Sequence, residues 1–120
     1  YGVGVSFIVS ASGGVTPAIK VPVGPNYQVP LAARIKAEAG IATRAVGLIV
    51  DPAQAEQIVA QGQADMVAMA RAFLDNPRWV WHAAERLGAQ VAFPPQYDRL
   101  RPAMWPGLKL ARPESVKPAA

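Results

Sequence analysis

The sequence has no cysteine among its 120 residues. A disulfide framework, a zinc or iron–sulfur site held by cysteines, and a thiol nucleophile are therefore excluded within this chain. Histidine is almost as scarce: the one histidine, His82, falls inside a predicted helix, where we expect it in packing or at the surface. No Ser-His-acid arrangement emerges around Ser10 or Ser12. We therefore expect neither a metal site nor a catalytic residue in this chain.

Long apolar runs and clusters of like charge are also missing. No stretch of 18 apolar residues occurs, so the sequence predicts no membrane span and no membrane partner. The 12 Lys and Arg residues outnumber the 8 Asp and Glu residues, for a net charge of +4. They form no basic cluster and no nucleic-acid-binding motif, so a nucleic-acid partner is not expected. The 52% hydrophobic content excludes general disorder.

Proline and charge divide the chain into two regions. Residues 94–120 hold half of the 12 prolines and most of the basic excess, whereas residues 1–93 are nearly neutral. We therefore predict a globular region at 1–93 and a basic, proline-rich segment and tail at 94–120. The sequence begins with Tyr1 rather than methionine and opens on apolar, strand-like residues. We expect it to be a piece of a longer protein.

Strand, turn and capped helix follow one another three times along the chain. The strands are predicted at 3–10, 42–50 and 64–70. The helices are predicted from Pro30 to Gly40, from Pro52 to Gly62 and from Asn76-Pro77 to Gly88, with a turn at 73–75. This alternation through short loops predicts an α/β fold with parallel strands. The pattern alone leaves open whether the sheet is open or part of a barrel.

The second helix has the most specific start signal. Asp51 is a favourable N-cap, Pro52 suits the first helical position, and Gln54 can close a capping box. Apolar spacing also predicts which side chains face inward on each helix. These are Leu31, Ile35 and Ala39; Ala55, Ile58 and Val59; and Val80, Ala84 and Leu87.

Three segments fall at the carboxyl ends of the predicted strands, where parallel α/β folds bind ligands. They are residues 10–14, Gly47 and the pair Ala70-Arg71. Backbone N–H groups of a glycine and an alanine, with an arginine beside them, could hold a phosphate. Alternatively, Gly47 could serve only as a turn, and Arg71 could pair with Asp65 or Asp75. Asp65 begins its strand at the opposite end, which in barrels serves stability.

Five blocks of the sequence resemble the C-terminal part of the Old Yellow Enzyme family, in its thermophilic-like, xenobiotic reductase branch. The blocks are GPNYQVPLA (24–32), AVGLI (45–49), ADMVAMAR (64–71), LDNP (74–77) and PQYDR (95–99). The resemblance covers about residues 5–101 and implies the last three or so βα units of a (β/α)8 TIM barrel. It further implies FMN as cofactor, NAD(P)H as hydride donor, and reduction of activated alkenes such as α,β-unsaturated carbonyls.

The resemblance also assigns roles to individual residues. Gly47 and the pair Ala70-Arg71 match the family's site for the FMN phosphate, and Arg99 matches an arginine that reaches the partner subunit's active site. The full-length protein is then expected to be a cytoplasmic homodimer or homotetramer. Three departures weaken the match. Ala70 stands where the family usually has glycine, Asn26 replaces a common glycine, and residues 9–14 read VSASGG where the family usually has DVSSGG.

The family's catalytic residues precede the matched part of its sequence, so the resemblance implies that this chain alone is inactive. Two alternatives stay open. The chain could belong to another FMN- or phosphate-binding barrel, such as a dihydroorotate-dehydrogenase-like protein. It could also be a truncated, non-catalytic barrel fragment that acts only in association, since open strand edges favour pairing with other chains.

Overall fold

The computed structural model describes residues 4–12, 17–18 and 23–113. It divides into two compact units, Tyr1–Ala72 and Phe73–Ala120. The division predicted after residue 93 concerns composition and stays a prediction. Predicted features at Val3, at Gly13-Gly14 and beyond residue 113 lie outside the described residues. In the described part, no helix is long and apolar enough to cross a membrane.

Three parallel strands form the sheet of the first unit. They are β1 (Phe7–Ser10), β2 (Ala42–Ala45) and β3 (Met66–Val67), in the order β1-β2-β3. Phe7 pairs with Ala42, and Arg44 pairs with Met66. The predicted parallel sheet is confirmed, but its strands are shorter than predicted. β2 ends early because Gly47 and Leu48 have positive φ angles, which an extended strand cannot contain.

The first helix, α1 (Val29–Ala39), ends where the sequence predicts. Gly40 adopts a φ of 62° and donates its backbone N–H to the carbonyl of Lys36. The predicted inner face is wrong, however, because Leu31 is exposed while Val29 and Ala32 are buried. The buried residues Val29 and Ala32 are three positions apart, whereas the predicted Leu31 and Ile35 are four apart. The side chains that pack on the sheet therefore follow the shorter spacing.

The second helix, α2 (Pro52–Ala60), begins with the predicted capping box. The Asp51 carboxylate accepts from the backbone N–H of Ala53 at 2.9 Å and of Gln54 at 3.3 Å. The Gln54 side chain in turn accepts from the backbone N–H of Asp51. Ala55 and Ile58 are buried as predicted, whereas Val59 is exposed.

The core of the first unit is small and lies where these helices meet the sheet. Its largest fully buried side chains are Val29, Thr43, Ile49 and Ile58. One side of β1 has little cover: Phe7 is 39% exposed and Val9 46% exposed. The guanidinium of Arg44 lies 4.5 Å from the centre of the Phe7 ring.

The second unit is helical. A short helix, α3 (Arg71–Asp75), includes residues 73–75, where the sequence predicts a turn. α4 (Trp79–Leu87) ends at Gly88 as predicted, and the Asn76 side chain accepts from the backbone N–H of Arg78. A 3₁₀ helix (Pro95–Leu100) and α5 (Leu108–Ala111) follow.

Aromatic rings and one ion pair hold α4 to the segments that follow it. Trp81 packs against Phe93 and Tyr97, with ring centres 4.4 and 5.5 Å apart. Glu85, whose side chain is only 6% exposed, forms two hydrogen bonds with Arg112. The predicted inner face is half wrong, because Ala84 is buried with Ala83 while Val80 and Leu87 are exposed. Val80 and Leu87 share one face of α4 with these alanines, because residues three and four apart on a helix are neighbours, so this face is covered only in part within the described residues.

Asp65 joins three elements at the amino-terminal end of the sheet. Its carboxylate accepts from the Lys36 ammonium at 2.9 Å and from the backbone N–H of Thr43 at 2.8 Å. The hydrogen bond from Lys36, followed by that from Thr43, lowers the pKa of Asp65. Asp65 therefore has the stabilising role that its place in the sequence predicts.

We expect Asp65→Asn to destabilise the protein near neutral pH and to matter little in acid. Because the folded-state pKa of Asp65 is depressed, its contribution is present above about pH 4 and is lost as the pH falls through that folded-state pKa. Urea unfolding at about pH 7 and about pH 2 measures the difference in free energy. Glu38→Gln, which removes the exposed ion pair with Arg34, is the control. An equal loss at both pH values would contradict this role.

Candidate functional site

The chain leaves β2 through a loop with an unusual backbone. Gly47 has a φ of 117° and Leu48 a φ of 48°. L-amino acids with a side chain rarely adopt such angles, and Leu48 does so at an energetic cost. Strained backbone of this kind is concentrated at functional sites, which makes the loop at 46–50 a candidate.

Tyr27 packs directly against Gly47. A Cβ atom added at Gly47 would lie 2.8 Å from Cε1 of Tyr27 and 3.2 Å from Oε1 of Gln28. Both the backbone angle and the close approach of Tyr27 therefore require glycine here. The space where a side chain at position 47 would lie is thus occupied by the Tyr27 ring.

Gln28 connects this region to the end of β1. It is buried, and its side-chain Nε2 donates to the carbonyl of Ser12 at 2.9 Å and to the Ser12 hydroxyl at 3.2 Å. The segment after β1 is thereby tied to the start of α1. Of the residues predicted in that segment, Gly13 and Gly14 lie outside the described residues.

A cavity of about 270 Å³ opens at this edge of the first unit. Gly47, Ala70 and Arg71 all line it, although they come from loops that follow different strands. Tyr27 and Gln28 line it as well. The sequence-predicted residues after β2 and β3 are therefore brought together at the carboxyl ends of the strands.

The chemistry of this cavity suits an anion. In the described part of the chain, neither the backbone N–H of Gly47 nor the Arg71 guanidinium has an acceptor. Neither alternative ion pair of Arg71, with Asp65 or with Asp75, occurs among the described residues, and the Asp65 carboxylate binds Lys36 instead. Arg71 is exposed, so a phosphate could reach both its charge and the nearby N–H groups.

The sequence reasoning missed the role of Gln54 at this loop. It predicts only the capping box, whereas the Nε2 group of Gln54 also donates to the carbonyl of Leu48 at 2.9 Å and to the Asn26 side chain. Among the described residues, Asn26 and Leu48 are the two that have a positive φ without being glycine, and the φ of Asn26 is 60°. The sequence signal that could have pointed to this contact is Asn26, which stands where the resembled family commonly has glycine.

The other residues singled out in the sequence lie in the second unit. Arg99 is exposed in the 3₁₀ helix. His82 contacts the Asn76 side chain, with 2.9 Å between Nδ1 and Nδ2. Burial, reinforced by the charge of Arg112, lowers the pKa of His82, which fits the expected packing role. No cluster of metal-ligating side chains occurs among the described residues.

Comparison with known proteins places these residues in a family context. The model of the NADH:flavin oxidoreductase / NADH oxidase family matches residues 15–90. NADPH dehydrogenases of Halalkalibacterium halodurans and of a Geobacillus species are each 50% identical over 96 residues. That of Geobacillus thermodenitrificans is 47% identical over the same length. These matches cover 80% of this chain but only 28% of each relative.

We expect Gly47→Ala to reduce the free energy of unfolding by about 3 kcal/mol, because it combines backbone strain with a collision against Tyr27. Gly62→Ala is the matched control, since Gly62 has a φ of 71° but open space around its Cβ position. It should cost about 1 kcal/mol. Denaturant unfolding compares the two variants. Equal losses would show that the contact with Tyr27 contributes nothing.

Proposed function

The chain belongs to the NADH:flavin oxidoreductase / NADH oxidase family, the Old Yellow Enzyme family, and on that premise we propose that its cavity binds the phosphate of FMN. The resemblance seen in the sequence is thus confirmed at the level of the family. Membership implies an oxidoreductase that uses FMN and NADPH.

One observation carries the proposal: Gly47 and Arg71, from loops after different strands, line one cavity with their donor groups unused in the described part of the chain. A phosphate is small, doubly charged and rich in acceptors, and so matches a glycine N–H beside a guanidinium. Ala70 completes the proposed set with its backbone N–H, and its φ is not positive, so alanine fits this position without backbone strain. Gly47, Ala70 and Arg71 are therefore the proposed FMN-binding residues.

This chain would hold one end of the cofactor rather than the reacting part. FMN, when bound, would supply transfer of hydride from NADPH to a substrate. Arg71 would fix the phosphate by charge, and the rigid loop at 46–50 would fix its position. The isoalloxazine ring and the substrate would then be met by residues of a larger protein.

The fold also supports the proposal that this chain holds only one end of the cofactor. Three parallel strands in sequential order, joined by α1 and α2, are what three neighbouring βα units of a (β/α)8 TIM barrel provide. The chain spans about 28% of the length of its relatives. We propose that the whole protein is a cytoplasmic ene-reductase that reduces activated alkenes such as α,β-unsaturated carbonyls, and that these 120 residues alone do not catalyse the reaction.

Arg99 has a separate proposed role. Its exposed position on the 3₁₀ helix leaves its guanidinium available to another molecule. In a homodimer or homotetramer of the whole protein, we propose that it contributes to the substrate site of the partner subunit. Arg101, two residues further on, instead forms an ion pair with Asp98.

We expect Arg71→Ala to weaken FMN binding about tenfold to hundredfold, because charge-assisted hydrogen bonds to the phosphate are lost. Binding of riboflavin, which has no phosphate, should stay the same. Flavin fluorescence titrations of protein expressed from the complete reading frame measure both affinities. Arg34→Ala, at an exposed arginine paired with Glu38, is the control. An unchanged FMN affinity in Arg71→Ala would refute the assigned site.

For Arg99, we expect Arg99→Ala to raise KM for an enone substrate about tenfold while leaving flavin content unchanged. Steady-state kinetics on the complete protein provide the test. Arg101→Ala removes a nearby guanidinium that is already paired, and it should leave KM close to that of the wild type. If both variants raise KM equally, the effect belongs to the basic segment and not to Arg99.

A further inference from the structure

Two residues other than glycine have left-handed backbone angles among those described, and both are bound by one side chain. Asn26 has a φ of 60° and Leu48 a φ of 48°. The Nε2 group of Gln54 donates to the Asn26 side chain and, at 2.9 Å, to the Leu48 carbonyl. The two segments that contain these residues, 23–28 and 46–50, both line the cavity of the first unit.

The hydrogen-bonding capacity of Gln54 is fully used. Its Oε1 accepts from the backbone N–H of Val50 at 3.0 Å and of Asp51 at 3.3 Å, while both Nε2 hydrogens are donated. A primary amide offers two donors and two acceptor positions, so this arrangement fixes the amide in one orientation. One side chain at the third position of α2 thereby holds both ends of the loop that follows Gly47.

Gln54 makes more hydrogen bonds than helix capping requires. A capping box requires only the bond from Gln54 to the N-cap residue, Asp51. The hydrogen bonds to Leu48 and Asn26 reach residues outside α2, and they hold the strained backbone of these two residues in place. Strain persists only where the surroundings over-determine it, and here it lies beside the proposed phosphate position.

We infer that Gln54 is a positioning residue for the phosphate-binding loop, holding Leu48 and the neighbouring Gly47 in the left-handed geometry that presents the Gly47 N–H to an anion. The inference rests on the proposed function, because it concerns the same phosphate. It adds a residue outside the cavity lining that sets the preference for FMN over riboflavin. Gln54 touches neither ligand and acts through residues 47 and 48.

The test compares FMN and riboflavin affinities of the apoprotein, made from the complete reading frame, by flavin fluorescence. Gln54→Met keeps the length of the side chain and removes all four hydrogen bonds. We expect the preference for FMN to fall about tenfold, the equivalent of one or two neutral hydrogen bonds, with riboflavin affinity unchanged. Gln57→Met, the same substitution at an exposed position of α2, should match the wild type.

A rescue variant separates positioning from mere structural support. Leu48→Gly added to Gln54→Met should restore most of the FMN preference, because glycine adopts a positive φ without a stabilising bond. If Gln54→Met does not fold, Asn26→Gly tests the same bond from its other side: glycine tolerates the φ of 60°, and the side-chain acceptor is lost. The FMN preference should then fall by about threefold.

Four results would overturn the inference. A Gln54→Met protein with the wild-type preference for FMN, or one that loses FMN and riboflavin affinity equally, refutes positioning while leaving the phosphate site intact. Failure of Leu48→Gly to rescue assigns Gln54 to helix stability alone. A wild-type protein that binds FMN no better than riboflavin instead refutes the proposed function, and the inference with it.

Discussion

The left-handed backbone at Gly47 and Leu48 is the constraint on which the first unit depends. It ends β2 after four residues and turns the chain sharply before α2 begins. Without that turn, the loop could not face the residues that follow β3 across a common cavity. Because the conformation is costly for Leu48, other contacts must hold it: the Tyr27 ring packs on Gly47, and Gln54 binds the Leu48 carbonyl.

The two ends of the small sheet differ in how their polar groups are bonded. At the amino-terminal end, Asp65 joins α1 and β2 through short, charged hydrogen bonds. At the carboxyl end, the Gly47 N–H and the Arg71 guanidinium have no acceptor within the described residues, and it is there that we propose a ligand. This separation is a general property of parallel α/β folds, where loops at one end of the strands vary and the other end supports the structure.

Much of the apolar surface finds no partner within the described residues. Phe7, Val9, Val59 and Val80 are all exposed, although their spacing in the sequence is that of buried residues. This pattern agrees with a segment that completes a larger barrel, in which further strands and helices would cover these faces. Such elements would also cover Val59, Val80 and Leu87, which the sequence spacing predicts to face inward.

Sequence alone determined the local features whose causes lie within a few residues. The capping box of α2, the glycine ends at Gly40 and Gly88, the parallel strand order and the family all follow from short patterns. Only the tertiary structure decided how distant segments meet. Tyr27 on Gly47, Gln28 on Ser12 and Gln54 on Asn26 each join residues far apart in the chain, and no periodicity encodes such contacts. The length of β2 belongs to the same class, because the strained backbone at Gly47 and Leu48, on which Tyr27 and Gln54 act, ends it.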